Sequence, residues 1–292
     1  MKKRGNKNLV IACSGGKHLG KNIAKKSGSE YSESILERFP DTEIKLRLGK
    51  NVKGKNVYLV QSFFENKKGD INDKLVEVLF AVHTCKELKA RKVFLIAPYL
   101  AYLREDKRFE KDESVNARIM SELFKVFEKV YVLEPHLHRY KKFRDFFPNA
   151  KRISLSKEIS RYVLKNIGKD CIVVGPDSES EQWAKPLAKE LGVEYTILNK
   201  KRHSSRKVSV KGKRISGKKV IILDDIISTG KTLIEASRLV DSKKIYFIAI
   251  HGLFSENSLK ELTRHGKVIA SNSISSKKGK IDCSETLSGV IK

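Results

Sequence analysis

The chain is short of the residues that mark special protein classes. It has four cysteines, Cys13, Cys85, Cys171 and Cys283, far apart and without a CxxC pair. Three stand among apolar residues, where cysteine behaves as a small hydrophobe, so neither a disulfide framework nor a zinc site is expected. No apolar run approaches the roughly 20 residues that a bilayer span needs. The start is basic, but the apolar stretch after it, Leu9–Cys13, is too short for a signal peptide. A soluble cytoplasmic protein with no membrane partner is expected. No segment is of low complexity.

Acidic residues are also scarce: 34 Asp and Glu face 61 Lys and Arg, for a net charge of +27. Residues 1–150 carry 32 basic and 19 acidic residues and the remainder 29 and 15, so the excess is spread evenly and forms no basic tail. The densest window, Asn199–Lys219, holds ten Lys/Arg and no Asp or Glu. It also lacks Phe, Tyr and Trp, the side chains on which single-stranded bases stack, so nucleic acid is not expected as a partner.

With 292 residues, 40% of them hydrophobic, the chain can build two domains of ordinary size. Apolar runs alternate with helical spacing throughout. Strands are expected at Leu9–Cys13, Asn56–Gln61, Val93–Ala97, Val130–Leu133, Cys171–Val174, Tyr195–Leu198, Val220–Leu223 and Lys244–Ile250. Helices are expected over Asp73–Lys89, Val115–Glu128, Lys157–Ile167, Glu181–Leu191 and Lys231–Val240, with a hairpin across Val208–Ile215. Strands separated by helices imply an α/β fold with mainly parallel sheets flanked by helices. The expected division is 1–148 and 149–292, with Pro148 and Asn149 in the linker.

Val220–Thr232 reads Val-Ile-Ile-Leu-Asp-Asp-Ile-Ile-Ser-Thr-Gly-Lys-Thr. An apolar strand runs into two acids, then a hydroxyl- and glycine-bearing loop, then a helix. Such a loop can cradle an anion with backbone N–H groups. Asp224 and Asp225 stand at a strand's carboxyl end, where open α/β sheets bind ligands, and suit ribose hydroxyls or a metal. The spacing is not that of a Walker A loop, and a capped helix start with Ser228 as N-cap is the plainer alternative.

This segment resembles the phosphoribosyl-diphosphate loop of phosphoribosyltransferases and of ribose-phosphate pyrophosphokinases. Five further segments favour the second family. Arg38-Phe39-Pro40-Asp41-Thr42-Glu43-Ile44 resembles its Phe-x-Asp-Gly-Glu nucleotide segment. Pro98-Tyr99-Leu100-Ala101-Tyr102-Leu103-Arg104-Glu105-Asp106-Lys107 is similar to its flexible-loop entry. Glu134-Pro135-His136 falls where the family has Asp-x-His, Gly175-Pro176-Asp177 matches its second-domain metal aspartate, and Lys200-Lys201-Arg202 its Lys-Arg-Arg. The six stand in family order over nearly the whole chain, which is identified as a divergent, archaeal-like member.

The resemblance implies two phosphoribosyltransferase-like domains and transfer of the β,γ-diphosphoryl group of ATP to O1 of ribose 5-phosphate, releasing AMP. Lys200 and Arg202 alternate along an extended segment and are the expected catalytic pair. Phe39, Asp41, Thr42, Glu43, Arg104, Glu105, Asp106 and His136 are expected at ATP. Arg202, Asp224, Asp225, Ser228, Thr229, Gly230, Lys231 and Thr232 are expected at ribose 5-phosphate. His136 and Asp177 are expected at Mg²⁺. The stretch Lys107–Glu113 reads as a lid. The 38–44 segment implies a homo-oligomer with its ATP site at a subunit interface. A phosphoribosyltransferase would not need the 38–44 and 98–107 segments, and a silent regulatory homologue would not need Lys200, Arg202, His136 and Asp224. Departures from the family are Thr42 for Gly, Glu105 for Gln, Glu134 for Asp, Ser178–Glu181 for a Gly-rich turn, Ser228 for Asp and Lys231 for Gly.

Overall fold

A computed structural model describes residues 7–108, 110–136, 143–202, 208–255 and 257–292, apart from the side chains of 201, 202 and 208. The chain divides into two compact units, one formed by the chain up to Ser154 together with Cys283–Lys292, the other by Leu155–Asp282.

The first unit contains β1 (Asn8–Ala12), α1 (Lys17–Ser27), β2 (Glu30–Arg38), β3 (Ile44–Leu48), β4 (Asn56–Val60), α2 (Ile71–Glu87), β5 (Lys92–Ala97), α3 (Asn116–Leu123), β6 (Lys129–Leu133), α4 (Phe143–Phe146) and β7 (Ala150–Ile153). Its sheet order is β3-β2-β1-β4-β5-β6-β7. Every neighbouring pair is parallel except β2 with β3. Leu9, Val10, Ile11, Val57, Leu59, Leu95 and Ile96 are all fully buried, as strands covered on both faces require. Gly16 ends the turn after β1: a Cβ there would lie 2.0 Å from the carbonyl oxygen of Val60, so only glycine fits.

Helix α2 starts on a reciprocal cap. Asp70 accepts from the backbone of Asn72 and Asp73, and Asp73 accepts from the Asp70 N–H. Its inner face is polar as well as apolar. Val78, Ala81, Val82 and Cys85 are buried beside Lys74 and Glu77, while Leu75 and Leu79 are only partly covered. Glu77 accepts from Ser14 N (2.9 Å), Ser14 Oγ, Ser34 Oγ (2.7 Å) and Gln61 Nε2 (3.0 Å). Lys74 Nζ donates to Asn66 Oδ1 at 2.9 Å. One helix face thus ties together β2, the turn after β1, and the loop after β4.

The second unit contains α5 (Ser156–Asn166), β8 (Ile172–Gly175), α6 (Glu181–Leu191), β9 (Tyr195–Ile197), β10 (Asn199–Arg202), β11 (Val208–Lys211), β12 (Ile215–Ser216), β13 (Val220–Ile227), α7 (Lys231–Ser237), β14 (Val240–Asp241), β15 (Ile245–Gly252), α8 (Ser258–His265), β16 (Lys267–Ser271) and β17 (Gly279–Ile281). Its main sheet, β17-β16-β15-β13-β8-β9, is parallel throughout. Val174, Val220, Ile222, Leu233, Phe247, Ala249 and Leu262 form the centre of its core.

Three expectations change, the domain division, the hairpin and one helix end. The division at 148/149 moves to Ser154/Leu155, because β7 pairs with β6 and so belongs to the first sheet. The closing helix Ser284–Ser288 also returns to that unit, where Glu285 pairs with Lys26 at 2.6 Å. The hairpin across 208–215 is not formed: β11 pairs antiparallel with β10, while β12 pairs parallel with β14. The helix expected over 115–128 stops at Leu123 and tightens into a 3₁₀ turn at Phe124–Val126, where Phe124 is buried. Asp41 and Glu43 lie on no strand, because the chain reverses between β2 and β3 there.

Candidate functional site

Three side chains from separate elements of the second unit converge at the carboxyl end of its sheet. Ile222 on β13 is level with Val174 on β8. Asp224, two residues on, therefore stands level with the end of β8, where Pro176 and Asp177 follow. The chain then turns through β9 into β10, which brings Lys200 back over the same edge. Lys200 Nζ lies 2.9 Å from Asp177 Oδ2.

Asp177 is nearly fully buried and has two partners on its two oxygens. Oδ2 takes the Lys200 ammonium, and Oδ1 accepts the Ser180 N–H at 3.0 Å. Ser180 Oγ in turn accepts from Asp177 N at 3.2 Å, closing a reciprocal cap on the turn Ser178–Ser180. The serine-rich departure from the family's glycine turn is thus a hydrogen-bonded turn that fixes the aspartate.

Asp224 is in a different position. Removal from water, then the neighbouring Asp225 and Asp177 carboxylates, push its carboxyl well above the ordinary aspartate range, while Lys200 pulls it back. Asp225 is buried, and its Oδ1 accepts the Ile226 N–H at 2.8 Å. Both acids lie within β13, which runs on to Ile227 and so carries them further along the sheet than the apolar run indicates.

The loop that follows holds Ser228 Oγ 2.8 Å from Ser255 Oγ. Gly230 has φ 72°, the left-handed region, and a Cβ there would meet Leu262 Cδ1 at 2.8 Å. Glycine is required twice over, by backbone conformation and by packing on α8. Thr229, Lys231 and Thr232 are partly exposed around it. Arg202 is on β10 two residues after Lys200, and its side chain lies outside the described residues.

The first unit presents its residues differently. Phe39, Asp41, Thr42 and Glu43 are all exposed. They form a tight turn in which Phe39 N donates to Glu43 O at 2.8 Å and Thr42 N to Phe39 O at 3.0 Å. Thr42 has φ 76°. The family's glycine at this position therefore coincides with backbone that glycine favours and a β-branched residue resists. Arg38 braces the turn, with Nη1 on Thr42 O at 2.9 Å and Nη2 on Asp73 Oδ1 at 2.6 Å. That contact holds the Asp73 carboxyl below its usual range.

Arg104 and Glu105 are exposed and Asp106 is buried. Within the charged stretch, Arg108 Nε donates to Glu113 O at 3.0 Å, and Phe109 lies outside the described residues. His136 is partly exposed just past β6. Glu134, at φ 36°, is committed elsewhere: it takes Arg152 Nη2 at 2.6 Å and Ser154 Oγ at 2.7 Å, clamping the end of β7.

Sequence reasoning did not single out Asp73, Ser255 or Glu77, and it named Arg38 and Ser180 only as members of longer segments. Each acts on backbone or on another side chain, and only the capping pattern Asp70-x-x-Asp73 was readable beforehand.

Among the described residues no three His, Cys, Asp or Glu side chains gather as a ready metal cage. Short of such a cage, the acids that act on one another electrostatically here, Asp224 with Asp225 and Asp177, offer only carboxylate oxygen. That suits a hard cation of the Mg²⁺ type, which takes one or two carboxylates and completes its coordination with substrate phosphates and water. No helix among the described residues is long and apolar enough to cross a membrane.

Residues 9–127 match the family model for the N-terminal domain of ribose phosphate pyrophosphokinase, and residues 148–285 the phosphoribosyl transferase domain. A ribose-phosphate pyrophosphokinase of Sulfolobus acidocaldarius is 32% identical over 291 residues, covering 96% of this chain and 98% of that one. One from Pyrococcus furiosus is 33% identical, covering 88% and 90%. The crystal structure of phosphoribosylpyrophosphate synthetase from Mycobacterium smegmatis superposes with a TM-score of 0.83 over 98% of both chains at 23% identity, a likeness of fold. Matched by family models over both units and by relatives over nearly its whole length, the chain belongs to the ribose-phosphate pyrophosphokinase family.

Proposed function

We propose that this chain transfers the β,γ-diphosphoryl group of ATP to O1 of ribose 5-phosphate, giving 5-phosphoribosyl 1-diphosphate and AMP. The observation that carries this reading is the convergence of Lys200, Asp177 and Asp224 beside the Ser228–Thr232 loop. In the reaction the O1–Pβ bond forms and the bond from Pβ to the α,β-bridging oxygen breaks. That oxygen leaves with AMP, and the O1 proton passes to solvent or a nearby base. The protein's task is alignment and charge stabilisation.

Lys200 supplies positive charge to the phosphoryl oxygens as the transition state spreads charge onto them. Its present partner, Asp177, keeps the ammonium aimed at the sheet's carboxyl end. Asp224 and Asp225 accept from the ribose hydroxyls, and Ser228–Thr232 hold the 5-phosphate. Arg202 joins Lys200. Asp177 would hold Mg²⁺ in the second unit, and His136 is the candidate ligand that the first unit offers; the ion would offset negative charge on the phosphoryl oxygens. Phe39, with its ring about half exposed, stacks on adenine, while Asp41 and Glu43 accept from the nucleoside; Arg104, Glu105 and Asp106 meet the rest of ATP. A turn that presents an aromatic ring and two carboxylates outward fits a site completed by a second copy, hence a homo-oligomer, working in the cytoplasm on soluble nucleotides.

The test is purified protein with ATP, Mg²⁺ and ribose 5-phosphate. AMP release that depends on the sugar phosphate is expected. ATP consumption indifferent to it would remove the reading.

A further inference from the structure

At the other end of the second unit's sheet lies a cavity of about 700 Å³ that the proposed reaction does not use. Helix α5 runs back along the sheet toward the strands' amino ends. Its Arg161 and Lys165 there face Lys267 at the start of β16 and Lys277, Lys278 and Lys280 around β17. Six of the cavity's thirteen lining residues are cations, whereas about one residue in five is basic in the chain as a whole.

Two acids share the wall with these six cations, which leaves four positive charges in excess. Glu158 lies 4.0 Å from Arg161, and Asp282 accepts from Asn272 Nδ2 at 2.8 Å. Three separate segments thus hold like charges around one concavity, at a cost in mutual repulsion that a multiply charged anion would reverse. The volume is that of a small-molecule site. Converging lysines around a bowl suit a compact anion, where an extended nucleic-acid strand would call for a stripe.

We propose that this basin binds a compact polyanion of the polyphosphate class, carrying three or more negative charges, at a site separate from the one at the carboxyl end of the sheet. Lys165, Lys278 and Lys280 are its principal contacts.

Inorganic tripolyphosphate is the probe, titrated calorimetrically into the full chain at 0.15 M salt. Tripolyphosphate can also enter the substrate site, so the informative quantity is the binding event that pocket substitutions remove. The triple variant Lys165→Gln, Lys278→Gln, Lys280→Gln should bind that event at least tenfold more weakly, while Lys→Arg at the same positions keeps it. AMP-forming activity should be unchanged in both, since none of these residues belongs to the substrate machinery. Amine acetylation of the wild-type protein gives a reading that needs no variant: tripolyphosphate should protect Lys165, Lys267, Lys278 and Lys280 from modification. Equal labelling with and without the probe, or an unchanged isotherm in a folded triple variant, would overturn the proposal. A twelve-nucleotide RNA that binds these lysines more tightly than tripolyphosphate would overturn it in favour of a nucleic-acid surface.

Discussion

Two carboxylates near the carboxyl ends of the two sheets, Glu77 buried and Asp224 half-buried, show opposite uses of the same group. Glu77 in the first unit accepts from four donors, from Ser14, Ser34 and Gln61. Asp224 in the second unit is crowded by Asp225 and Asp177 and relieved by Lys200. A carboxylate whose lone pairs are filled by its own fold has little left for a ligand. One placed among like charges is unfavourable until a cation or a donor-rich ligand arrives. Satisfaction, more than burial, separates a structural acid from a binding one here.

The sharpest way to break this comparison is to remove each group. Glu77→Ala strands three side-chain donors and a backbone N–H beside buried Lys74, and should cost about 3–5 kcal/mol of stability, read from urea midpoints. A loss under 1 kcal/mol would show that the cluster is not what ties the first unit together.

Lys200→Ala should lower turnover on the order of 10²–10³-fold, the scale of a lost transition-state donor, with a smaller change in ATP affinity. Near-normal turnover would place the transition-state charge elsewhere.

The pH profile sharpens the contrast. Because the folded carboxyl of Asp224 is raised, the folded state holds its proton where the unfolded chain has lost it. Its contribution to stability is present below about pH 4 and is lost as pH rises toward the folded value. Asp224→Asn should therefore raise stability at pH 7 relative to pH 4 and abolish activity. Urea titrations at the two pH values check the first part, and a variant that is destabilised at pH 7 would reverse the assignment.

The smallest effect concerns the exposed turn. Thr42→Gly relieves a left-handed β-branched residue and should stabilise by about 1 kcal/mol. No gain in melting temperature would show that the Arg38 brace has absorbed the strain.

The parallel strands and the β13–loop–α7 segment were legible because buried strands are unbroken apolar runs and because two acids ending such a run stand out. Lys200 was legible as a member of a basic tripeptide, but its pairing with Asp177 spans 23 residues and exists only once β8 and β10 meet. The β2–β3 pair was missed because both strands alternate polar residues at an edge, as in Glu33, Glu37, Lys45 and Arg47. Glu77 reads from the sequence as one more solvent-facing charge on α2. Nothing local reveals that Ser14, Ser34 and Gln61 arrive from three other segments to bury it. The return of Glu285 to Lys26 is likewise invisible without the fold.

The central claim is that the second unit's acids and lysine carry out transfer of a diphosphoryl group. ³¹P NMR of wild-type protein with ATP, Mg²⁺ and ribose 5-phosphate tests it most directly, with Lys200→Ala at equal folded concentration alongside. The account predicts that the β and γ phosphorus signals move together to the sugar while AMP accumulates, and that the variant slows this at least a hundredfold. Accumulation of ADP, or equal rates in the two proteins, would contradict it.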